Sequence, residues 1–273
     1  MIFDGKFIAE QIFAELTEQI AELPKPPKLG VVLVGDNPAS LSYIRQKRRA
    51  AERVGIDFEL FSFDISVSER ELITAIQGLN TNPDITGFIV QLPLPKHINT
   101  TAIIETIAPH KDVDGFTAEN IGRLFLGTAD LISCTPRGVM ELLARSDINV
   151  RGKSVTIIGR SNIVGKPLSL LMINAGATVT VCNSQTRDIG QYTRNSDIVV
   201  VATGQPKLLK LDMVRSGTVV IDVGFSVVDG KISGDADYEA IEPTCLITPV
   251  PGGVGPMTVA MLMKNTYIAA TYE

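Results

Sequence analysis

The sequence of 273 residues has no tryptophan, only two histidines and only three cysteines. His97 and His110 lack the spacing of a metal-ligand pair, and Cys134, Cys182 and Cys245 lie far apart. These features argue against a zinc site and against a disulfide framework. An odd number of widely separated cysteines is typical of reduced thiols, so we expect a cytoplasmic protein without a metal.

Long apolar runs and an excess of positive charge are also missing. No stretch is long enough for a membrane-spanning helix, and the N-terminus lacks the pattern of a signal peptide. The formal net charge is −5 at pH 7, which argues against a general nucleic-acid binder. Because hydrophobic residues make up 45% of the chain, we expect a globular protein. From the charge and the lack of long apolar runs, we expect its partners to be small molecules, not nucleic acid or membrane.

Strand-like and helix-like patterns alternate along the first half of the chain, after an amphipathic N-terminal helix. The order strand, helix, strand, helix, strand predicts a parallel sheet covered by helices. Further helices are indicated at 99–108 and at 135–147, the second with Thr135 as its N-cap. The strands and helices of the repeated pattern are KLGVVLVG at 28–35, a helix at 36–55, DFELFSF at 57–63, a helix at 68–80 with a capping box, and ITGFIVQLPLP at 85–95.

The same alternation starts again at residue 154 and predicts a second α/β domain. Its first strand runs into a loop, IIGRSNIVGKP, that opens a helix, so Gly159 lies at the tight turn and a pyrophosphate can bind the helix N-terminus. The spacing differs from G-x-G-x-x-G, which makes this signal weak on its own. We place the boundary between the two domains within 117–150.

The end of the following strand bears on the choice of cofactor. NAD-binding units carry an acid there for the ribose 2′-hydroxyl, whereas this chain has Cys182, Asn183 and Ser184. Arg160 and Ser184 can instead meet a 2′-phosphate, although Arg160 can equally cap a carbonyl or pair with an acid. We therefore predict NADP in preference to NAD.

In the helix at 36–55, Tyr43 and Lys47 stand four residues apart, outside the apolar stripe of Leu41, Ile44 and Ala51. Taken alone, this pair favours a solvated basic face in which the tyrosine covers the lysine stem. The alternative is catalytic, because positive neighbours and burial favour the neutral form of a lysine, which can accept a proton.

Three other segments carry unusual chemistry. Gln91 follows a strand at the edge where ligands bind in open α/β sheets, and Asp112 and Asp114 lie in a loop beside Gly115. The segment TPVPGGVGPMT at 248–258 has too many prolines and glycines for regular structure, so we expect a rigid loop that can clamp a ligand.

Together these motifs closely resemble the bifunctional methylenetetrahydrofolate dehydrogenase/cyclohydrolase family in its short bacterial two-domain form. The likeness extends from FDGKFIA near the start to PGGVGPMTVAMLMKNT near the end of the chain. Five specific motifs occur in the family's order: NPAS-x-x-Y-x-x-x-K at 37–47, VQLPLP at 90–95, KDVDGF at 111–116, GRS-x-IVG-x-P at 159–167 and TPVPGGVGPMT at 248–258.

The resemblance implies an enzyme of one-carbon metabolism. It implies oxidation of 5,10-methylenetetrahydrofolate to 5,10-methenyltetrahydrofolate with NADP, followed by hydrolysis to 10-formyltetrahydrofolate at the same site. It also implies a homodimer formed through the nucleotide domains. We expect a folate-binding catalytic domain at 1–117, a Rossmann-like NADP domain at 118–256, and a C-terminal helix at about 257–273 that returns to the first domain.

By resemblance, Lys47 is the catalytic lysine, Gln91 supports it, Tyr43 stacks on the folate and Asp114 holds the pterin. The expected substrate residues also include Val90, Leu92, Pro251, Gly252, Gly253, Val254, Gly255, Pro256 and Thr258. The expected cofactor residues are Gly159, Arg160, Ser161, Ile163, Ser184 and Phe225.

Two departures from the family pattern fall in the cofactor site: Asn183 stands where many members have histidine, and Phe225 where many have isoleucine. One rival hypothesis is a short-chain dehydrogenase, which also uses a Tyr-x-x-x-Lys pair. In those enzymes the nucleotide loop precedes the pair, whereas here it follows by more than a hundred residues. A second rival is a non-catalytic or single-activity relative that binds folate or NADP.

Overall fold

The computed structural model describes residues 3–228 and 230–272, and these form two compact α/β units. The first unit comprises Gln11–Cys134 and the residues from Val259 onward. The second comprises Thr135–Thr258 and the residues up to Glu10. No helix in the described ranges is long and apolar enough to cross a membrane. The predicted two-domain α/β class is therefore confirmed.

The first part of the chain has the alternation that the sequence predicts, with a single 3₁₀ turn at Pro109–Lys111. Its helices and strands, in chain order, are α1 (Gly5–Ala21), β1 (Lys28–Val34), α2 (Pro38–Val54), β2 (Asp57–Phe63), α3 (Glu69–Thr81), β3 (Gly87–Val90), α4 (Thr100–Thr106), α5 (Ala118–Leu126) and α6 (Cys134–Arg145).

A three-stranded parallel sheet in the order β2-β1-β3 organises the first unit. The central strand β1 is an almost unbroken buried apolar run, as expected where a parallel sheet is covered on both faces. Its one glycine, Gly30, lies against Phe88 and Phe61, and a Cβ there would come within 3.0 Å of the Phe88 Cβ. The aromatic side chains of the flanking strands thus fill the space above Gly30.

The remaining elements belong to the second half of the chain, which also has a 3₁₀ turn at Leu211–Met213. In chain order they are β4 (Ser154–Ile158), α7 (Gly165–Asn174), β5 (Thr178–Cys182), α8 (Ile189–Thr193), β6 (Ile198–Val201), β7 (Val219–Asp222), β8 (Ser226–Val228), β9 (Lys231–Ser233), α9 (Tyr238–Ile241), β10 (Leu246–Ile247) and α10 (Val254–Ala270).

The second unit contains a five-stranded parallel sheet in the order β10-β7-β6-β4-β5 and a separate hairpin of β8 and β9. After β4 the chain forms β5 at one edge of the sheet. It then crosses back over β4, and β6 pairs with β4 on the side opposite β5. This reversal beside the first strand is the switch point at which doubly wound sheets bind ligands. Strand β6 is buried along its whole length at the centre of the sheet.

Two local predictions were wrong. Helix α6 begins at Cys134, so Thr135 lies inside the helix and its hydroxyl shares a hydrogen bond with Thr258 (2.9 Å). The segment at 248–258 is irregular only as far as Gly253, because α10 begins at Val254, before the predicted start. Pro256 is compatible with this start since the first helical turn needs no N–H donor from it.

The C-terminal helix returns to the first unit, as predicted. The side-chain amide of Asn265 in α10 donates to the backbone carbonyls of Val113 and Ile132, both at 2.8 Å. Asn265 and its neighbour Thr266 are buried. Because buried polar groups require partners, these bonds fix the helix against the loop that contains Val113.

The core under α3 offers a direct test of the packing. Ile76 is 0% exposed and contacts the cluster beneath the first sheet, so Ile76→Ala should lower the free energy of unfolding by about 2–5 kcal/mol through lost burial and a cavity. The matched control is Ile65→Ala, because Ile65 is 60% exposed and its truncation should cost no more than about 0.5 kcal/mol. Urea unfolding measures both changes, and equal losses would contradict this placement of α3.

Candidate active site and dinucleotide pocket

A lysine and a glutamine meet at the carboxyl edge of the first sheet. Gln91 directly follows β3, and its backbone N–H donates to the Val32 carbonyl of β1 (2.9 Å). The Lys47 ammonium donates to Gln91 Oε1 (3.0 Å), while Gln91 Nε2 donates to the Leu92 carbonyl (2.7 Å). The glutamine amide is thereby held with its oxygen facing the lysine. The structure thus brings together two residues that lie 44 positions apart.

Helix α2 places Lys47 through well-defined ends. Asn37 caps its N-terminus with bonds to two backbone N–H groups, Pro38 occupies the first turn, and Gly55 ends the helix in a left-handed conformation (φ 83°). Ile44 is buried as predicted, whereas Lys47 is half-buried. The helix therefore buries one stripe and leaves the Lys47 side accessible.

The other side chains near Lys47 on α2 have different surroundings. Tyr43 is 37% exposed, and partial burial raises the pKa of its hydroxyl. Arg48 lies over the Phe58 ring at 5.0 Å, and Arg53 lies over the Phe13 ring at 5.2 Å. These cation–π contacts give two of the arginines a packing role. The exposed flat ring of Tyr43 remains suited to stacking on a ligand.

Asp112 holds the loop that follows β3 and the 3₁₀ turn. Its buried carboxylate accepts hydrogen bonds from the backbone N–H groups of Gly115 (2.9 Å) and Thr117 (2.8 Å) and from Asn120 Nδ2 (3.0 Å). A carboxylate with three donors in a buried loop is satisfied within the protein. Asp112 therefore shapes the loop, and because it is 0% exposed a ligand does not reach it.

Asp114, two residues further on, has a different environment. It is half-buried, and burial raises the pKa of its carboxyl to about 6, against an opposing effect of the Lys47 charge. Its Oδ1 faces the Cys134 thiol at 3.9 Å. Lys47, Gln91 and Asp114 therefore belong to one electrostatically coupled group at this edge of the sheet.

Two residues that the sequence analysis missed hold this loop from behind. The buried Lys111 ammonium donates to the Leu79 (3.1 Å) and Asn82 carbonyls at the end of α3, and burial lowers the pKa of Lys111. Asn265 holds the Val113 carbonyl, as described above. Lys111 lies inside the KDVDGF motif, and that position was a usable signal, whereas no local pattern marks Asn265.

The segment from Pro251 to Thr258 belongs to the second unit, where the N-terminus of α1 fixes its turn. The Lys6 N–H donates to the Gly252 carbonyl (3.1 Å), and the Gly253 N–H donates to the Pro249 carbonyl (2.9 Å). Gly5 leaves the space that the Gly253 carbonyl occupies. The remaining predicted substrate residues here, Val254, Gly255, Pro256 and Thr258, lie in the first turns of α10.

A cavity of about 490 Å³ opens in the second unit at the carboxyl ends of three adjacent strands. Gly159, Arg160 and Ser161 line it after β4, and Ser184 lines it after β5. Four of the six predicted cofactor residues therefore share one cavity. Asn183, one of the two departures from the family pattern, also lines it. The further lining residues, which the sequence analysis did not select, are Ile158, Thr186, Ile189, Ala202, Thr203, Gln205 and Leu208.

The geometry of the loop after β4 fits a dinucleotide. Gly159 has φ 127° and lies against the Ala202 carbonyl of the neighbouring strand, so a side chain has no room there. The Ser161 hydroxyl accepts the Val164 (3.2 Å) and Gly165 (3.4 Å) N–H groups at the start of α7. The exposed Arg160 thus stands beside the start of α7, and helix N-termini are places where phosphates bind.

Three further residues concern the predicted cofactor site. Asn183 uses its side-chain oxygen to accept the Gln185 N–H (3.0 Å), which organises the turn after β5. Ile163 and Phe225 are exposed and do not line the cavity. The sequence analysis missed the cavity residues that follow β6, although a signal for them was available. The carboxyl end of β6 lies at the same edge of the sheet as those of β4 and β5, beside the switch point.

Asp114 gives the site a pH signature. In the unfolded chain its carboxyl releases a proton near the ordinary pKa of 3.8, whereas the folded chain keeps it until about 6. Between these values the folded state binds more protons, so its stability relative to Asp114→Asn should fall as the pH rises from 3.8 to about 6, then stay level.

Urea unfolding of both proteins across this window measures the effect. Asp84→Asn provides a control of opposite sign, because the hydrogen bond from Lys25 lowers the pKa of the exposed Asp84 carboxyl. Parallel pH profiles for the wild type and Asp114→Asn would show that burial does not perturb this carboxyl.

Comparison with known proteins agrees with both units. The model of the tetrahydrofolate dehydrogenase/cyclohydrolase catalytic domain matches residues 3–114, and that of the NAD(P)-binding domain of the same family matches residues 133–273. The chain is 50% identical over 275 residues to the bifunctional protein FolD of Exiguobacterium sp., covering 99% of each.

Solved structures show the same relationship. The bifunctional FolD enzyme of Campylobacter jejuni, a methylenetetrahydrofolate dehydrogenase/cyclohydrolase, superposes with a TM-score of 0.97 at 45% identity, covering 99% of this chain and 98% of that one. The Trypanosoma brucei FolD, solved with NADP and an inhibitor, superposes with a TM-score of 0.94 at 36% identity. The match covers 99% of this chain and 97% of that one. With both domain models matched along nearly the whole sequence, the chain belongs to the tetrahydrofolate dehydrogenase/cyclohydrolase family.

Proposed function

We propose that this protein oxidises 5,10-methylenetetrahydrofolate to 5,10-methenyltetrahydrofolate with NADP and then hydrolyses that cation to 10-formyltetrahydrofolate. The observation that carries the proposal is the Lys47–Gln91 hydrogen bond of 3.0 Å, with the Asp114 carboxyl within the field of the same lysine. A positioned amine and a nearby carboxyl are what the hydrolytic step and the binding of a pterin require.

Lys47 is proposed as the proton acceptor of the hydrolysis. The methenyl carbon is an iminium-like cation, so water adds to it as a proton leaves the water. The Lys47 amine takes that proton, and the bond to Gln91 fixes the direction of the Nζ atom. The bond from the bridging carbon to N5 then breaks, N5 takes up a proton, and the formyl group remains on N10. The accessible ring of Tyr43, on the same side of α2, stacks on the folate.

Asp114 is proposed to bind the pterin ring. A carboxylate accepts two parallel N–H bonds from a heterocycle, and Asp114 is the carboxylate of its loop whose oxygens are not filled by backbone donors. Val90 and Leu92 flank Gln91 and supply backbone and apolar surface beside it. The predicted contacts of Pro251–Thr258 with the substrate rest on the family resemblance.

The cofactor is proposed to occupy the 490 Å³ cavity of the second unit. When bound, NADP supplies the acceptor for the hydride removed from the substrate. Arg160 and Ser184 hold the 2′-phosphate, and the turn from Gly159 to Ser161 holds the pyrophosphate. Ile163 and Phe225 are proposed to contact the cofactor from the rim.

Domain assignment and assembly are further parts of the proposal. From the family resemblance we assign residues 1–117 with the C-terminal helix to the folate domain and 118–256 to the NADP domain. The compact units instead divide after Cys134 and place the residues up to Glu10 with the second unit. We also propose a cytoplasmic homodimer formed through the nucleotide domains, as the family resemblance implies. Light scattering coupled to size exclusion measures the mass directly, and a mass near 29.4 kDa would contradict the dimer.

A spectroscopic assay with methylenetetrahydrofolate and each nicotinamide cofactor tests the central proposal. Formation of the methenyl product, followed by its decay, is expected with NADP. Formation without decay would leave only the dehydrogenase, which is the single-activity alternative. A chain that neither forms nor hydrolyses methenyltetrahydrofolate would contradict the proposed function.

Lys47→Met should abolish hydrolysis of methenyltetrahydrofolate because the proton acceptor is lost. The fold should survive, since Lys47 lies outside the buried stripe of α2. Lys25→Met makes the same chemical change at an exposed lysine of the same unit, and its hydrolysis rate should equal that of the wild type. A Lys47→Met protein that hydrolyses at the wild-type rate would remove this residue from the mechanism.

Arg160→Ala should lower kcat/KM with NADP by about tenfold or more, because a charge-assisted hydrogen bond contributes roughly 1.5–3 kcal/mol. Efficiency with NAD should hardly change, since NAD lacks the 2′-phosphate. The control is Arg151→Ala, an exposed arginine outside the cavity lining, which should alter neither value. Equal losses with both cofactors would mean that Arg160 shapes the loop instead of contacting the phosphate.

A further inference from the structure

Two aspartates are buried together behind the dinucleotide cavity. Asp222 ends β7 and is 2% exposed, and Asp235 follows β9 and is 0% exposed. Neither residue lines the cavity. Burying two carboxyls in one region is costly unless each is compensated by donors, so their partners indicate what they do.

Asp235 holds the loop that follows β6. Its Oδ2 accepts three hydrogen bonds, from the Thr203 N–H (2.5 Å), the Thr203 hydroxyl (2.9 Å) and the Gly204 N–H (2.8 Å). The Thr203 hydroxyl in turn accepts the Gln205 N–H (3.2 Å). Thr203 and Gln205 both line the cavity. One carboxylate oxygen therefore fixes the backbone of one wall of the cofactor pocket.

The other oxygen of Asp235 has an unusual environment. In residues 3–228 and 230–272, Oδ1 of Asp235 is the buried side-chain atom that lacks a hydrogen-bond partner. It occupies the place that a side chain at Gly224 would take. All of the compensation of this carboxyl thus comes from the Thr203–Gly204 loop, and the orientation of the carboxyl depends on that loop.

Asp222 connects this arrangement to the segment after β7. Its Oδ1 accepts the Gly224 (2.8 Å) and Asp235 (3.0 Å) N–H groups, and its Oδ2 accepts the Ala236 N–H (2.8 Å). Burial raises the pKa of Asp222 to about 6, and the charge of Asp235 adds to that rise. Asp222 therefore fixes the backbone that carries Asp235.

A second link joins the two loops at the surface. The Ser226 hydroxyl donates to the Gly204 carbonyl (3.2 Å), and Phe225 lies between Ser226 and Gly224. Gly204 is thus held through both of its backbone polar groups: its N–H donates to Asp235 and its carbonyl accepts from Ser226. These bonds connect the cavity-lining loop at 203–205 to the segment at 224–226. A change at Asp235 is transmitted to both through hydrogen bonds.

We propose that Asp235, supported by Asp222, is a positioning residue for the dinucleotide cofactor: it holds the Thr203–Gln205 wall in the conformation that binds NADP. This inference rests on the proposed function, which supplies the cofactor. It adds a determinant of cofactor affinity that does not touch the cofactor. Its consequence is a selective loss of affinity for the cofactor, with chemistry in the folate unit unchanged.

Asp235→Asn tests the proposal with little change of volume. The neutral amide oxygen accepts the three donors more weakly, and its NH₂ group would stand at the partnerless position beside Gly224. The dissociation constant for NADP, measured by titration, and KM for NADP should both rise about tenfold. kcat at saturating NADP should change much less, and cofactor-free hydrolysis of methenyltetrahydrofolate should equal that of the wild type.

Asp212→Asn is the control, because it makes the same change at an exposed aspartate of the same unit and should leave every value unchanged. An unchanged NADP dissociation constant in Asp235→Asn would overturn the inference. A loss of cofactor-free hydrolysis as large as the loss of NADP affinity would overturn it too. If Asp235→Asn does not fold, Thr203→Ala, which removes the hydroxyl that links Asp235 to the Gln205 N–H, is measured instead, with the same two outcomes. A wild type without turnover would contradict the proposed function, whereas NADP titration would still decide the inference.

Discussion

The parallel arrangement of strands is the constraint on which both candidate sites depend. Parallel strands end at a common edge, so the residues that follow them converge without any pattern in the sequence between them. In the first unit this brings Gln91 to the side of Lys47. In the second it gathers the turns after β4, β5 and β6 around one cavity. The buried strands themselves contribute position and rigidity, and the chemistry lies in the irregular residues just beyond them.

Sequence reasoning succeeded where the signal was local. The capping box of the helix predicted at 68–80 follows from Ser68 and Glu71, which stand within one helical turn, and the structure contains it. It failed where the partner is distant: Asn265 bonds to a carbonyl 152 positions away, and Asp235 to a loop more than 30 positions away. Such contacts depend on the tertiary fold, which single-sequence patterns do not encode.

Burial and hydrogen bonding also separate residues that a motif groups together. Within KDVDGF, Lys111 and Asp112 are buried and satisfied by backbone groups, so they hold the loop. Asp114 is only half-buried and is coupled to Lys47. Resemblance to a family identifies all three as characteristic residues. The structure divides them into residues that build the site and one that remains available to a ligand.

The departure from G-x-G-x-x-G has a physical explanation of the same kind. Gly159 is required by the Ala202 carbonyl against it, and Gly165 by the Gly159 carbonyl, so each glycine serves a close contact of the backbone. Five residues separate them, and this longer turn leaves Arg160 and Ser161 accessible at the cavity, with the Ser161 hydroxyl bonded to the start of α7. A cationic side chain inside the phosphate-binding turn suits a ligand with an additional phosphate. The spacing that weakens the match to the NAD fingerprint is thus the feature that makes room for the contact we propose between Arg160 and NADP.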